Sequence, residues 1–266
     1  GVEDLFRDAL CDKDPSVMVA TLGVLRELVA RDEARNALAG APDSSSSSSS
    51  NGVSKWVDLV QPLVTIQNQV IAKRLPRGYD YMGMPAPWVQ MHLVDLLGVL
   101  GRGNARASER MYECLQSTFR AALEYKQSVA AMVVYSCIKT IMSIIPSAPL
   151  MEAASTQIGV FLRSSAPNLR YLGIRALAAA LGETHGRFAQ VLANNEQHQL
   201  AVIECLESDD ETLRRETLDV LYLMSTPANA PVIAERLLGA LRRDSHDTGS
   251  THVRRELVAK ITQLAE

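Results

Sequence analysis

Five histidines are the first residues to test for chemistry: His92, His185, His198, His246 and His252. Two of them neighbour Asp244 and Asp247 in the stretch Asp-Ser-His-Asp-Thr-Gly-Ser-Thr-His at 244–252. Metal binding needs ligands fixed at short spacings on a rigid element, such as two histidines one helical turn apart or paired Cys and His. This cluster sits in a Ser/Thr/Gly-rich turn and reads as a solvated loop, as does Gly-Glu-Thr-His-Gly-Arg around His185. The four cysteines, Cys11, Cys114, Cys137 and Cys205, form no C-x-x-C pair. Each falls among apolar neighbours on an expected helix, which reads as free buried thiols in a reducing compartment. No serine lies in a G-x-S-x-G elbow. Gly98, Gly101 and Gly103 follow a helix in Leu-Leu-Gly-Val-Leu-Gly-Arg-Gly-Asn, so they cannot present amide donors to a phosphate as a dinucleotide loop does. Gly101 or Gly103 is instead expected to end that helix. The residues therefore identify no catalytic, metal or cofactor site, and the chain reads as a non-enzyme with no cofactor.

Two other groups have the character of partner contacts. Arg170, Arg214 and Arg254 recur at one phase of a repeat, which implies a row of cations along one face. Such a row serves either as ion pairs between repeats or as a groove for an acidic partner or phosphoinositide. The second group is the stretch Leu75 to Trp88, which carries Tyr79, Tyr81 and Trp88 among prolines, glycines and methionines. A loop so rich in large apolar groups either packs back on the protein or meets a partner.

The elements that position these residues follow from an apolar metre. Val17, Val89, Val129, Leu169, Leu213 and Val253 align, and apolar residues recur five and eight positions after each. These include Leu22 and Leu25, Val94 and Leu97, Val134 and Cys137, Ile174 and Leu177, Leu218 and Leu221, and Val258 and Ile261. A period near 40 residues with helical amphipathicity is the signature of HEAT/armadillo arrays. The expected fold is all-α, a right-handed HEAT/armadillo-like α-solenoid of antiparallel helix pairs running as one body over residues 1–266. The step from Val17 to Val89 is double length, so a helix from Trp56 to about Arg74 is expected to supply a hidden repeat. Residues 42–53 include seven serines, Ser44 to Ser50, and read as a disordered loop, because such a run cannot bury apolar surface. A phosphorylation switch there lacks basic or proline-directed context.

With 47% hydrophobic residues the chain has ample core material. Its net charge of −3 supplies no basic field, which disfavours nucleic acid as a partner. No apolar run is long enough for a membrane span and no signal peptide is evident. The pattern is already under way at Gly1 and continues to Glu266, so the chain reads as a piece of a longer solenoid.

Several stretches resemble the trunk of the large adaptins of vesicle-coat adaptor complexes. They are GMPAPWVQMHLVDLLGVLGR (Gly83 to Arg102), VVYSCIKTIMSI (Val133 to Ile144), ASTQIGVFLRSSAPNLRYLGIRALAAAL (Ala154 to Leu181), and the block from His198 to Leu241. The order matches the gamma/epsilon branch. PAPW (Pro85 to Trp88), AAST (153–156), HQLAVIECLE (198–207) and the terminal ITQLAE (Ile261 to Glu266) are most similar to the epsilon-adaptin side, that of the fourth adaptor complex. The resemblance implies an α-solenoid scaffold that assembles with small sigma, medium mu and beta-type adaptin chains. It further implies recruitment by an Arf-family GTPase, peripheral association with trans-Golgi network or endosomal membranes, and sorting of cargo tails by the whole complex. The polyserine run departs from the family pattern, and no cargo-site residue carries over. A HEAT-repeat nuclear transport receptor or phosphatase scaffold is the alternative reading of the same periodicity.

Overall fold

The computed structural model describes residues 2–39, 54–182, 192, 195–208, 210–225, 229–243, 255 and 258–262. The polyserine run, Arg254, His185, His246 and His252 lie outside the described residues. The fold is an all-α solenoid, and among the described residues the only β-type pairing is the isolated bridge between Tyr81 and Met84. The chain forms two compact units, residues 1–150 and 151–266.

The first unit holds α1 (Val2–Leu10), α2 (Pro15–Ala39), a 3-10 segment (Ser54–Leu59), α3 (Val60–Ile71), α4 (Pro87–Gly101), α5 (Ala105–Leu123) and α6 (Ser128–Ser143). Its core lies where the second helix of one pair meets the second helix of the next. Leu93, Val94, Leu96 and Leu97 of α4 are buried, as are Val133, Val134, Cys137, Ile138 and Ile141 of α6. Fully burying a side chain of this size stabilises by about 1.5–3 kcal/mol. Polar bonds set the register of the seam. The Thr140 hydroxyl donates to the Val94 carbonyl at 2.8 Å, and the Ser143 hydroxyl to the Gly98 carbonyl at 3.2 Å. Because both bonds advance in the same direction, α4 and α6 run parallel. The α5 helix, joined to each by a short linker, runs antiparallel to both and packs against α3 and α6. Asn104 caps α5, its side-chain oxygen accepting from the Ala107 amide at 3.0 Å. Such a cap is worth roughly 1 kcal/mol.

Gly98 makes the seam possible. A Cβ on Gly98 would stand 2.9 Å from both the Ser143 and Thr140 hydroxyl oxygens and 3.2 Å from the Thr140 Cα. Those hydroxyls cannot swing aside without releasing the α4 carbonyls they bond. Gly103 adopts φ +66° just past α4 and is the left-handed residue that ends it.

The segment Trp56 to Arg74 does not form a separate repeat. It divides into the 3-10 segment and α3, and α3 packs against α4 and α5 as the first helix of the second pair. The double-length step arises instead from the 25-residue α2, the stretch 40–53, and a long connection between α3 and α4. Trp56 is buried, its ring edge-to-face with Phe6 at 5.9 Å and its indole N–H donating to Asp32 at 3.1 Å. It fixes the 3-10 segment to α1 and α2. The cysteine expectation also needs one correction. Cys114, Cys137 and Cys205 are buried, but Cys11 is exposed at the end of α1, because the chain turns there towards α2. Burial pushes the Cys114 and Cys205 thiols up to about 11 and raises Cys137 further, so these three are inert at neutral pH.

The second unit holds α7 (Ala148–Leu162) from Met151 onward, α8 (Pro167–Gly182), α9 (Glu196–Cys205), α10 (Glu211–Leu223) and α11 (Ala230–Arg243), with residues 258–262 also helical. Asp210 caps α10, accepting from the amides of Thr212 at 2.9 Å and Leu213 at 3.1 Å. Asn195 caps α9 through the His198 amide at 3.2 Å. The His198 ring is buried, and its Nε2 would stand 3.0 Å from a Cβ placed on Gly159 of α7. Burial lowers the His198 pKa below its ordinary 6.5, the nearby Arg163 charge lowers it further, and hydrogen bonding to the backbone of Leu192 and Ser155 opposes the shift.

A group whose folded pKa is depressed contributes stability that is complete above the unfolded value and is lost as pH falls. Melting temperature should therefore be highest above pH 6.5 and fall between pH 6.5 and 5.5, before carboxylates titrate. His198→Gln should flatten the melting profile across that window, as scanning fluorimetry at closely spaced pH values can check.

Candidate partner-contact surface

The expected contact residues belong to two settings. In the first unit, fifteen residues (72–86) connect α3 to α4, whereas three residues (102–104) join α4 to α5 and four (124–127) join α5 to α6. The long connection has a defined internal structure. After a 3-10 turn (Arg77–Tyr79), Tyr81 and Met84 exchange backbone hydrogen bonds of 2.9 and 3.0 Å around Met82 and Gly83. Those two central residues have φ of +49° and +84°, the signs of a type I′ hairpin turn. Gly83 takes this conformation freely, whereas Met82 does so at a cost. A further left-handed residue, Ala86 at φ +33°, turns the chain into Pro87, which opens α4.

Met84 and Ala86 are buried beneath this hairpin. Its outer side carries Tyr81 at 45% exposure, Met82 at 64% and Trp88 at 47%. The Tyr81 and Trp88 rings meet edge-to-face, with centroids 5.1 Å apart and planes at 76°. Met132 of α6 is also exposed and, by the parallel register of α4 and α6, lies level with Trp88. Further along the same face, Lys139 of α6 pairs with Asp95 of α4 at 3.1 Å and stands 5.2 Å over the Tyr135 ring. The surface is thus an apolar knuckle beside a charged rung, with rigid aromatic anchors of the kind that dominate protein interfaces.

Tyr79 has a different place. Its hydroxyl donates to Asp14 at 2.6 Å and is within 3.0 Å of the Ser16 hydroxyl, and its ring is half-buried. These bonds, led by that from Tyr79, hold the Asp14 carboxyl below its usual range. Tyr79 ties the connection to the start of α2, whereas Tyr81 and Trp88 face solvent.

The arginines sit in the second unit. Arg170 of α8 and Arg214 of α10 are both half-buried. Arg170 is close enough to Cys205 to favour its thiolate, and its Nε finds no acceptor among the described residues. Arg254 lies outside the described residues. Other residues also carry charge between second helices. Arg175 of α8 pairs with Glu216 of α10 at 3.1 Å, and Asp219 of α10 pairs with Lys260 at 3.1 Å. Lys260 also stands 4.5 Å over the Tyr222 ring. Together with Asp95–Lys139, these place an ion pair between neighbouring second helices once in the first unit and twice in the second. The apolar metre does not reveal them, since ions of either sign fit those positions. What could have found them is opposite charges some 41–44 residues apart on exposed helix faces.

Stacked helix pairs with ion pairs between neighbouring second helices define an α-helical repeat protein. Residues 3–266 match the family described as the adaptin N-terminal region, and the chain belongs to that family. It is 36% identical over 98% of its length to the AP-4 complex subunit epsilon of Arabidopsis thaliana, and 35% identical over 98% to AP-4 complex subunit epsilon-1 of Homo sapiens. To the AP-1 complex subunit gamma-2 of Arabidopsis thaliana it is 28% identical over 71%. The chain spans 24%, 20% and 20% of these relatives, respectively.

The two sides of the hairpin should respond differently to truncation. Met84→Ala leaves a cavity under the turn and should cost about 2–5 kcal/mol. Trp88→Ala loses an edge-to-face contact and partial burial, on the order of 1 kcal/mol. Urea denaturation of both variants checks the order, and a larger loss for Trp88→Ala would show that its ring is part of the core.

Proposed function

We propose that this chain is one continuous stretch of the trunk of a large adaptor-complex subunit, and that it works as a scaffold through protein–protein contact. The observation that carries the reading is the family match across almost the whole chain, together with relatives whose names place them in AP-4 and AP-1 complexes. Identity is higher to the epsilon subunits than to gamma, which favours the AP-4 type. The partners in this reading are a small sigma chain, a medium mu chain and a beta-type adaptin. An Arf-family GTPase recruits the assembly to trans-Golgi or endosomal membranes, where the whole complex sorts cargo tails. The chain's part is geometric. It holds other subunits in register, and recruitment shifts the population toward the membrane-bound arrangement by differential binding. None of the described helices is long and apolar enough to cross a membrane, which fits peripheral association.

Within that reading, the contact falls on Tyr81 and Trp88, with Met82 between them. Large exposed rings on a fixed turn bind with little loss of side-chain freedom. Tyr79 supports the turn from behind. Arg170 and Arg214, being half-buried, offer an acidic partner less to reach, and Arg254 would extend the same phase.

Co-expression tests the proposal. The chain should be captured with AP-4-type small sigma and beta chains, and Tyr81→Ser/Trp88→Ser should reduce capture at least tenfold while keeping its helical circular dichroism. Recovery of a phosphatase catalytic subunit or a Ran-type GTPase in place of adaptor chains would contradict it and favour the transport-receptor or phosphatase-scaffold reading.

A further inference from the structure

Helical-repeat arrays ordinarily couple each pair only to the next through helix packing. In the first unit, the α3–α4 connection adds a second route. It belongs to the second helix pair and reaches the pairs on both sides. Toward the first pair, Tyr79 donates to Asp14 at 2.6 Å, and Asp14 itself caps α2 by accepting from the Ser16 amide at 2.9 Å. Toward the third pair, the Gln127 side-chain amide, just before α6, reaches the Met82 carbonyl at 3.5 Å.

Between these ends, the connection is anchored from below. The Pro85 carbonyl accepts from the buried Gln90 amide at 2.6 Å. The Gln90 oxygen accepts from Gln67 of α3 at 3.2 Å, and the same Gln67 nitrogen bonds the Thr118 hydroxyl of α5 at 3.1 Å. Thr118 passes the chain on to the Cys114 carbonyl at 2.8 Å. Both glutamines and Thr118 are buried, where an unmade bond is costly. Leu75, at the other end of the connection, lines an apolar groove with Leu10, Met18, Pro62 and Ile66.

We propose that residues 72–86 act as a brace. By tying the start of α2 to the entrance of α6 through one turn, they fix the relative placement of the first and third helix pairs beyond what helix packing imposes. Three observations require more than a packed crossover. The connection is fifteen residues long where its neighbours need three or four. It holds Met82 and Ala86 in left-handed conformations that relaxed loops avoid. The Tyr79 hydroxyl and the carbonyls of Met82 and Pro85 are engaged by Asp14 and Ser16 at the start of α2, by Gln127 of the α5–α6 linker and by Gln90 of α4. A loop that merely spans a gap needs none of these.

The test measures the distance the brace controls. Spin labels are placed on Lys13→Cys and Lys126→Cys, both exposed sites, with Cys11 replaced by Ser and the buried cysteines left in place. Pulsed electron resonance then gives the distribution of label separations across the first and third pairs. With the brace intact the distribution should be narrow. Tyr79→Phe, which removes the bond to Asp14, and Gln127→Ala, which removes the bond to Met82, should each broaden it about twofold with helicity unchanged. An unchanged width in the double variant would overturn the proposal, since helix packing alone would then set the geometry. Should Tyr79→Phe lose helicity, Gln127→Ala alone carries the test, with the same two outcomes.

Discussion

The close approach of α4 and α6 is the constraint on which the rest of the first unit depends. It requires a helix surface without a Cβ at Gly98 and two hydroxyls, on Thr140 and Ser143, that bond directly to α4 carbonyls. These bonds lock the rotation of α6 about its own axis. That rotation places Cys137, Ile138 and Ile141 in the core and leaves Met132 and Lys139 on the accessible side. The ion pair of Lys139 with Asp95 then falls into place on the outer edge. An exposed pair of this kind adds at most about 1 kcal/mol, so it reports the geometry more than it creates it.

From that seam follows the character of the surface. Where α4 and α6 run side by side, their N-terminal ends come together, and the strained hairpin before α4 is held over them. The apolar side chains around the hairpin divide cleanly: Met84 and Ala86 are buried, while Tyr81, Met82 and, at the start of α4, Trp88 are exposed. In the second unit the ladder repeats with α8 and α10, and the charges at the corresponding edge are again opposite and paired. Among the described residues, the exposed aromatic side chains and the ion pairs thus lie on helix faces and on the α3–α4 connection.

The sequence made the repeat legible because burial in stacked helices is periodic. Leu22, Leu25, Val94, Leu97, Val134, Cys137, Ile174, Leu177, Leu218 and Leu221 are all buried, as their spacing requires. Val17, at the entrance of α2, is exposed, and Val258 is 48% exposed, so the metre marks a phase and not a burial depth. The supposed extra repeat at Trp56–Arg74 failed for a related reason. One amphipathic helix cannot announce whether it is the first or second of a pair. Residue type alone marks Tyr79, Tyr81 and Trp88 as contact candidates, yet Tyr79, two residues before the hairpin, bonds a carboxylate at the start of α2, a long-range bond that no local pattern encodes. The arginine row was read from phase alone. Phase fixes direction around the helix, and that direction proved to be half-buried for Arg170 and Arg214.

The central claim, that a glycine-dependent seam between α4 and α6 organises the first unit, is tested by one comparison. Gly98→Ala and Gly23→Ala are the same chemical change within a helix. A Cβ on Gly98 meets the facing helix at 2.9 Å, whereas a Cβ on Gly23 meets nothing within 4 Å. Under urea denaturation, Gly98→Ala should lose about 1–3 kcal/mol through overpacking. Gly23→Ala should be neutral or gain up to about 1 kcal/mol from helix propensity. A Gly98→Ala variant as stable as Gly23→Ala would contradict the account.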